Sequence, residues 1–190
     1  EVNDQALSLL FALSETIANI SNTEFLFQTI YDKLKPVFHF EVAVIQLISE
    51  DRQFLEIFLQ GVSAPEELLN FSSPRRLRIP ISEMPDFIDL ETEEVQRFHL
   101  KDIPIKLKKD KEFTRIFEEV LGIQEQLICP LYHSGRNIGH LMLSTGRRGR
   151  IAEQDIPLLR QVCRVIATAV VNTISFERIS QQEQITEKIL

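Results

Sequence analysis

No stretch of the sequence approaches the roughly 20 consecutive apolar residues that a helix needs to cross a bilayer. Its opening, Glu1-Val2-Asn3-Asp4, is not that of a signal peptide. A soluble, cytoplasmic protein is expected. Basic residues are also in short supply: 21 Lys and Arg against 28 Asp and Glu leave a net charge of −7. Such a surface lacks the basic face with which proteins neutralise nucleic acid phosphates, so no direct nucleic acid contact by this region is expected. There are only two cysteines, Cys129 and Cys163. Each falls where a small buried hydrophobe would sit, which argues for a reducing compartment and against a disulfide framework. A Gly-rich phosphate loop is missing, none of His39, His99, His133 and His140 stands in a nucleophile–base pattern, and the carboxylates form no convincing catalytic pair. No enzymatic role is expected.

What is present is 44% hydrophobic content over 190 residues, enough for one well-buried core. The chain starts without Met and stops at Lys188-Ile189-Leu190 without a helix stop signal. It is therefore expected to be an excerpt, with an output domain beyond Leu190.

The most informative stretch is Gln126 to Thr145. Two runs of strand-forming residues, Leu127 to Tyr132 and Ile138 to Thr145, flank His133-Ser134-Gly135-Arg136-Asn137, which reads as a hairpin loop of about five residues. With Tyr132 opposite Ile138, antiparallel pairing gathers Leu127, Cys129, Leu131, Leu141 and Leu143 on one face. Ile128, Pro130, Tyr132, His140, Met142 and Ser144 share the other. The first face needs a helical layer; the second, mixed face suits solvent or a cavity holding something small.

Taken in order, Ala6, Leu10, Leu13, Ile17 and Ile20 form a short heptad seam on a first helix, with Leu7, Phe11 and Ala18 as a second stripe. Ser21 and Glu24 have capping-box spacing for a second helix, which Pro36 should end or bend. Glu41 to Ser49 and Gln53 to Gln60 then read as strands joined by the turn Glu50-Asp51-Arg52. From Gly61 to Lys111 the pattern loosens, with a short strand at Leu77-Arg78-Ile79 and a short helix at Met84 to Leu90 or Glu93 to Phe98. Asp110 is placed to cap a helix running to Leu121, with Gly122 after its end. A last helix from Glu153 to Leu190 would be about 57 Å long at 1.5 Å per residue, so its final turns must protrude and need a partner.

These elements, in this order, resemble a GAF domain. The residues that carry the resemblance are Pro130-Leu131, Gly135, Ile138-Gly139 and Leu141, then Glu153-Gln154-Asp155-Ile156 and Leu158-Leu159. Within the family the chain is most similar to the sensory domains of bacterial AAA+ enhancer-binding transcription activators and sensor histidine kinases. The resemblance implies an α+β, PAS-related fold: an antiparallel sheet of about five or six strands, with helices from both chain ends on one face and a small-ligand pocket on the other. The Asn-Lys-x-Asp-Glu arrangement of cyclic-nucleotide-binding members is not found. Cys129 precedes Pro130 and Cys163 lies on a helix, so no covalent chromophore is expected, and haem through His99 or His140 is not expected either. Cys129, His133, His140 and Cys163 do not converge into a metal site.

The expected organisation is a dimerisation helix over 1–21, a core over 22–175 and a protruding signalling helix over 176–190. The expected ligand-binding residues on the mixed face are Val44, Gln46, Phe54, Glu56, Phe58, His140 and Met142, with Arg78 as counter-charge for an anionic ligand. A homodimer is expected through the terminal helices, using Leu10, Leu13, Ile17, Val170 and Ile174. The function expected is small-molecule sensing, relayed through the last helix to an output domain. The alternatives are a ligand-free dimerisation scaffold and a small redox enzyme using Cys129.

Overall fold

The computed structural model describes residues 2–58, 76–102, 114–147 and 149–189. The expectations for Leu59, Gln60 and Asp110 lie outside those residues, as does that for the side chain of Phe58. Helix α1 (Val2–Ile17) and helix α2 (Thr23–Leu34) precede strands β1 (Val42–Ile48), β2 (Phe54–Phe58), β3 (Arg76–Pro80), β4 (Gln96–His99), β5 (Glu125–His133) and β6 (Arg136–Thr145). A 3-10 turn at Glu153–Asp155 leads into helix α3 (Ile156–Ile189). The six strands form one antiparallel sheet in the order β3-β2-β1-β6-β5-β4.

The alternation read from the sequence decides which face the helices cover. Ala43, Ile45 and Leu47 of β1, Leu127, Cys129 and Leu131 of β5, and Leu141 and Leu143 of β6 join one buried cluster. The helices supply Leu9, Leu13 and Ile17 of α1, Leu26, Phe27 and Ile30 of α2, and Leu159, Val162, Cys163 and Ile166 of α3. All these side chains are nearly withdrawn from water, and burial of one Leu or Ile contributes about 1.5–3 kcal/mol. Buried Tyr31 keeps its hydroxyl satisfied by accepting the Ile45 N–H at 2.9 Å, which ties α2 to the central strand. The edge strand β4 is held by Arg97, which donates to Glu125 Oε2 and the Ile151 carbonyl, each at 2.7 Å, and lies 3.2 Å from Glu153.

The β5–β6 register from Glu125 to Leu131 is the expected one, with Cys129 opposite Leu141 and Pro130 opposite His140. Near the turn it shifts by one residue, so Tyr132 faces Asn137 and His133 faces Arg136. The loop is thus two residues long, not five. Ser134 and Gly135 both have positive φ (51° and 72°), the backbone that a type I′ turn requires to match strand twist.

Four other expectations are corrected. Asn22, not Ser21, caps α2, its Oδ1 accepting the Phe25 N–H at 3.0 Å. The stretch proposed as a helix at Glu93 to Phe98 ends in strand β4, because Gln96 to His99 pair with Ile128 to Glu125. The connection between β1 and β2 has four residues, Glu50 to Gln53, since Ser49 donates its N–H to the Phe54 carbonyl. Leu13, Ile17 and Val170, expected at a dimer interface, belong to the monomer core, and Leu10 and Ile174 pack against it half-buried. The exposed apolar side chains on these helices are instead Leu7 and Phe11 of α1 and Phe176, Ile179, Ile185 and Ile189 of α3.

Beyond the core, α3 keeps two ties to the body. The Glu177 carboxylate accepts the Thr23 N–H at 2.7 Å and also its hydroxyl, and Arg178 pairs with Glu50 in the β1–β2 turn. At 34 residues the helix is about 51 Å long. No helix among the described residues is long and apolar enough to cross a membrane.

Candidate functional site

The sheet face turned away from the helices carries the polar side chains that packing alone does not require. Across β1 and β6, Val44 pairs with Met142 and Gln46 pairs with His140, so these four expected residues do share one face. Gly139, beside His140, makes the pairing possible. A Cβ at this position would stand 2.0 Å from the Gln46 carbonyl oxygen, and its φ of +155° is one that L side chains rarely adopt.

The other expected site residues are on the opposite side. Pairing of Leu47 with Glu56 puts Glu56 on the face of β1 that the helices cover, and Arg78 pairs with Glu56. Phe54 joins them, the Arg78 guanidinium lying 4.0 Å over its ring. Phe58 pairs with Ile45 through its backbone. The cause is the β1–β2 turn: one residue more than the three expected moves every side chain of β2 to the other face. Leu55 and Ile57 therefore take the positions beside Val44 and Gln46, and Arg78 is no counter-charge for His140. Val42, Val44, Ile57, Leu100 and Ile123 form a second, smaller apolar cluster there, with Met142 against it.

His140 is 1% exposed. Its Nε2 lies 3.4 Å from the Asn137 side-chain nitrogen, while its Nδ1 finds no hydrogen-bond partner among the described residues. Burial lowers its pKa to about 4, so the ring is neutral at physiological pH. Asn137 Nδ2 donating to Nε2 selects the tautomer with the proton on Nδ1, a donor left unused among the described residues in a largely apolar setting.

Asn137, legible in the sequence only as a turn residue, is the organiser that sequence reasoning missed. Its side chain is buried; Nδ2 donates to the Leu90 carbonyl at 2.6 Å and Oδ1 accepts the Gly139 N–H at 2.9 Å. Arg52 donates to the Asn137 carbonyl at 3.0 Å, and the Tyr132 hydroxyl donates to the Glu91 carbonyl at 2.8 Å. These bonds strap the segment around Leu90 and Glu91 to the hairpin end of the sheet. Phe87 on that segment meets Phe98 of β4 edge to face at 5.0 Å. Phe98 pairs with Gln126, whose neighbour Ser144 shares the His140 face. No group of three or more side chains able to hold a metal ion occurs among the described residues.

The arrangement of helices from both chain ends on one face of a six-stranded antiparallel sheet recurs in solved structures. The GAF domain of a phosphoenolpyruvate-protein phosphotransferase from Acinetobacter matches with a TM-score of 0.62 at 15% identity, over 89% of this chain and 94% of that one. The chain has the GAF fold. The GAF domain of a two-component sensor histidine kinase from Bacillus halodurans matches with a TM-score of 0.58 at 16% identity, over 83% of this chain and 99% of that one. Free methionine-R-sulfoxide reductase from Neisseria meningitidis, solved with its substrate, matches with a TM-score of 0.60 at 14% identity, over 92% and 93%. Similar structures thus occur in a phosphotransferase, a sensor histidine kinase and a reductase, and the likeness speaks for fold alone. No family model matches the chain, and no curated protein matches it in sequence.

Proposed function

We propose that this GAF domain is a small-molecule-sensing module of a bacterial signal-transduction or transcription-regulatory protein, with the ligand held on the His140 face. The observation that carries the reading is the buried neutral ring of His140, its Nδ1 unpartnered among the described residues, opposite Gln46 and next to a segment strapped to the hairpin end of the sheet. An unused donor in an apolar setting costs free energy that a ligand acceptor would recover. The solved GAF domains from a sensor kinase and a phosphotransferase support a regulatory role, and neither a nucleophile–base pair nor a metal is invoked.

Occupancy would be relayed through α3, which packs on β5 and carries past the core to an output domain in cis beyond Leu190. Only a ligand that binds one arrangement of sheet and helix more tightly than the other can drive that change. The domain would act as a parallel homodimer through Leu7 and Phe11 of α1 and the exposed apolar positions of α3, beginning with Phe176 and Ile179. A groove of about 840 Å³ between the end of α1 and α3, lined by Ala18, Ile20, Val165 and Phe176, offers room for a partner helix.

A thermal-shift screen of neutral and anionic metabolites tests the sensing reading, run on the wild type and on Gln46→Ala. A compound that raises the wild-type Tm and loses most of that effect in Gln46→Ala supports it. A screen in which every hit survives the substitution argues against it. The second reading, a ligand-free dimerisation scaffold, is favoured by one contact, the Phe87–Phe98 pair, which places aromatic side chains where a ligand could otherwise sit.

A further inference from the structure

Cys129 of β5 and Cys163 of α3 meet across the joint between the sheet and the helix that leaves the domain. Both are free thiols, 0% and 2% exposed, and both line one small crevice. Between them and the surface runs a crevice of about 30 Å³ with Glu93, Tyr132, Arg160 and Arg164 around it. That volume admits about one water-sized molecule. A Val or Ala at either position would fill a core as well, so packing alone does not call for two thiols lining one crevice.

We propose that Cys129 and Cys163 form a reversible oxidation site, at which hydrogen peroxide converts the two thiols into a disulfide that staples β5 to α3. Cys163, on the helix beside Arg160 and Arg164, reacts first. Its thiolate sulfur attacks one peroxide oxygen, the O–O bond breaks, and hydroxide leaves to take up a proton as water. The product is a sulfenic acid. The Cys129 sulfur then attacks the Cys163 sulfur; the S–O bond breaks, the S–S bond forms, and the oxygen leaves as a second water with the Cys129 proton. Two thiols and one hydrogen peroxide thus become one disulfide and two waters, with two electrons passing from sulfur to oxygen. A dithiol reductant reverses the change. The narrow crevice selects hydrogen peroxide over bulkier hydroperoxides. The staple would fix α3 on the sheet whatever the His140 face holds.

The test is oxidation of the whole native chain with a modest excess of hydrogen peroxide, followed by intact mass and non-reducing peptide mapping. The expected result is a loss of about 2 Da and a single cross-linked peptide joining Cys129 to Cys163, formed at least about tenfold faster than with tert-butyl hydroperoxide. Cys129→Ala should instead leave a sulfenic acid at Cys163, one oxygen heavier, which dimedone traps once the oxidised chain is unfolded in its presence. Thiols that stay free in the native chain under conditions that oxidise the unfolded chain would reduce the pair to core packing and overturn the proposal. Oxidation appearing only between chains would overturn it as well. The wild-type peptide map decides the matter even if a variant fails to fold.

Discussion

One amide nitrogen, Nδ2 of Asn137, reaches both the Leu90 carbonyl at 2.6 Å and the His140 ring at 3.4 Å, so the strap at the hairpin end of the sheet and the buried histidine share a single anchor. Asn137→Ala removes the donor to Leu90 and the acceptor for the Gly139 N–H at once. Loss of these buried bonds should cost about 1–3 kcal/mol in denaturant unfolding. Hydrogen exchange should rise around Leu90 and Glu91 before it rises in β1. A variant whose strap amides exchange as slowly as in the wild type would show that Asn137 is not the anchor.

His140 gives the fold a defined response to acid. In the unfolded chain it takes up a proton as pH falls through 6.5, but in the folded protein only near 4, because burial disfavours the charged ring. Between those values the unfolded state binds more protons, so stability falls as pH falls, by up to about 3 kcal/mol once pH is below 4. Above pH 6.5 the group contributes no slope. His140→Gln should flatten this part of the stability curve, and identical curves for the two proteins would contradict the buried neutral ring.

Gly139→Ala sets a methyl group 2.0 Å from the Gln46 carbonyl on the neighbouring strand and forces an L residue to a φ of +155°. The strands must part, at a cost of about 2–4 kcal/mol. Thermal unfolding should show a drop of several degrees with the far-ultraviolet spectrum retained. A Tm within a degree of wild type would mean that β1 and β6 are not this close.

Burial separates two kinds of helix substitution. Leu13→Glu with Ile17→Glu puts charge into the monomer core, where Leu13 is 0% exposed, and should abolish folding. Phe11→Glu with Ile179→Glu alters side chains 66% and 55% exposed, and should leave Tm nearly unchanged while shifting sedimentation from dimer to monomer. A folded monomer from the first pair, or an intact dimer from the second, would overturn the proposed interface.

Much of the fold was legible because periodicity reports burial. The apolar run Leu127, Cys129, Leu131 facing Leu141 and Leu143 needs a helical cover, and α3 supplies it. The site was half legible for the same reason in reverse. Val44, Gln46, His140 and Met142 alternate correctly within their own strands, so their shared face followed from strand parity. Phe54, Glu56 and Arg78 were misplaced because parity across the β1–β2 hairpin depends on turn length. The Asp51 side chain organises a four-residue connection, its Oδ1 accepting from the Ser49 hydroxyl at 2.6 Å and the Gln53 N–H at 3.1 Å. No hydrophobic pattern records that count. Asn137 escaped because a turn asparagine announces backbone freedom, whereas here the side chain does the binding. The α1 seam misled because Leu9, Leu13 and Ile17, at spacing four, outline an inward face that a heptad reading centred on Leu10 places toward a partner.

The most direct measurement is native mass spectrometry of the protein purified gently from its own host, with the wild type and Gln46→Ala run side by side and any released small molecule identified. Sensing at the His140 face predicts a stoichiometric ligand on the wild type that is depleted on Gln46→Ala, and that carries an acceptor for the Nδ1–H of His140. A wild-type protein carrying nothing, or a ligand retained equally by both, would contradict it.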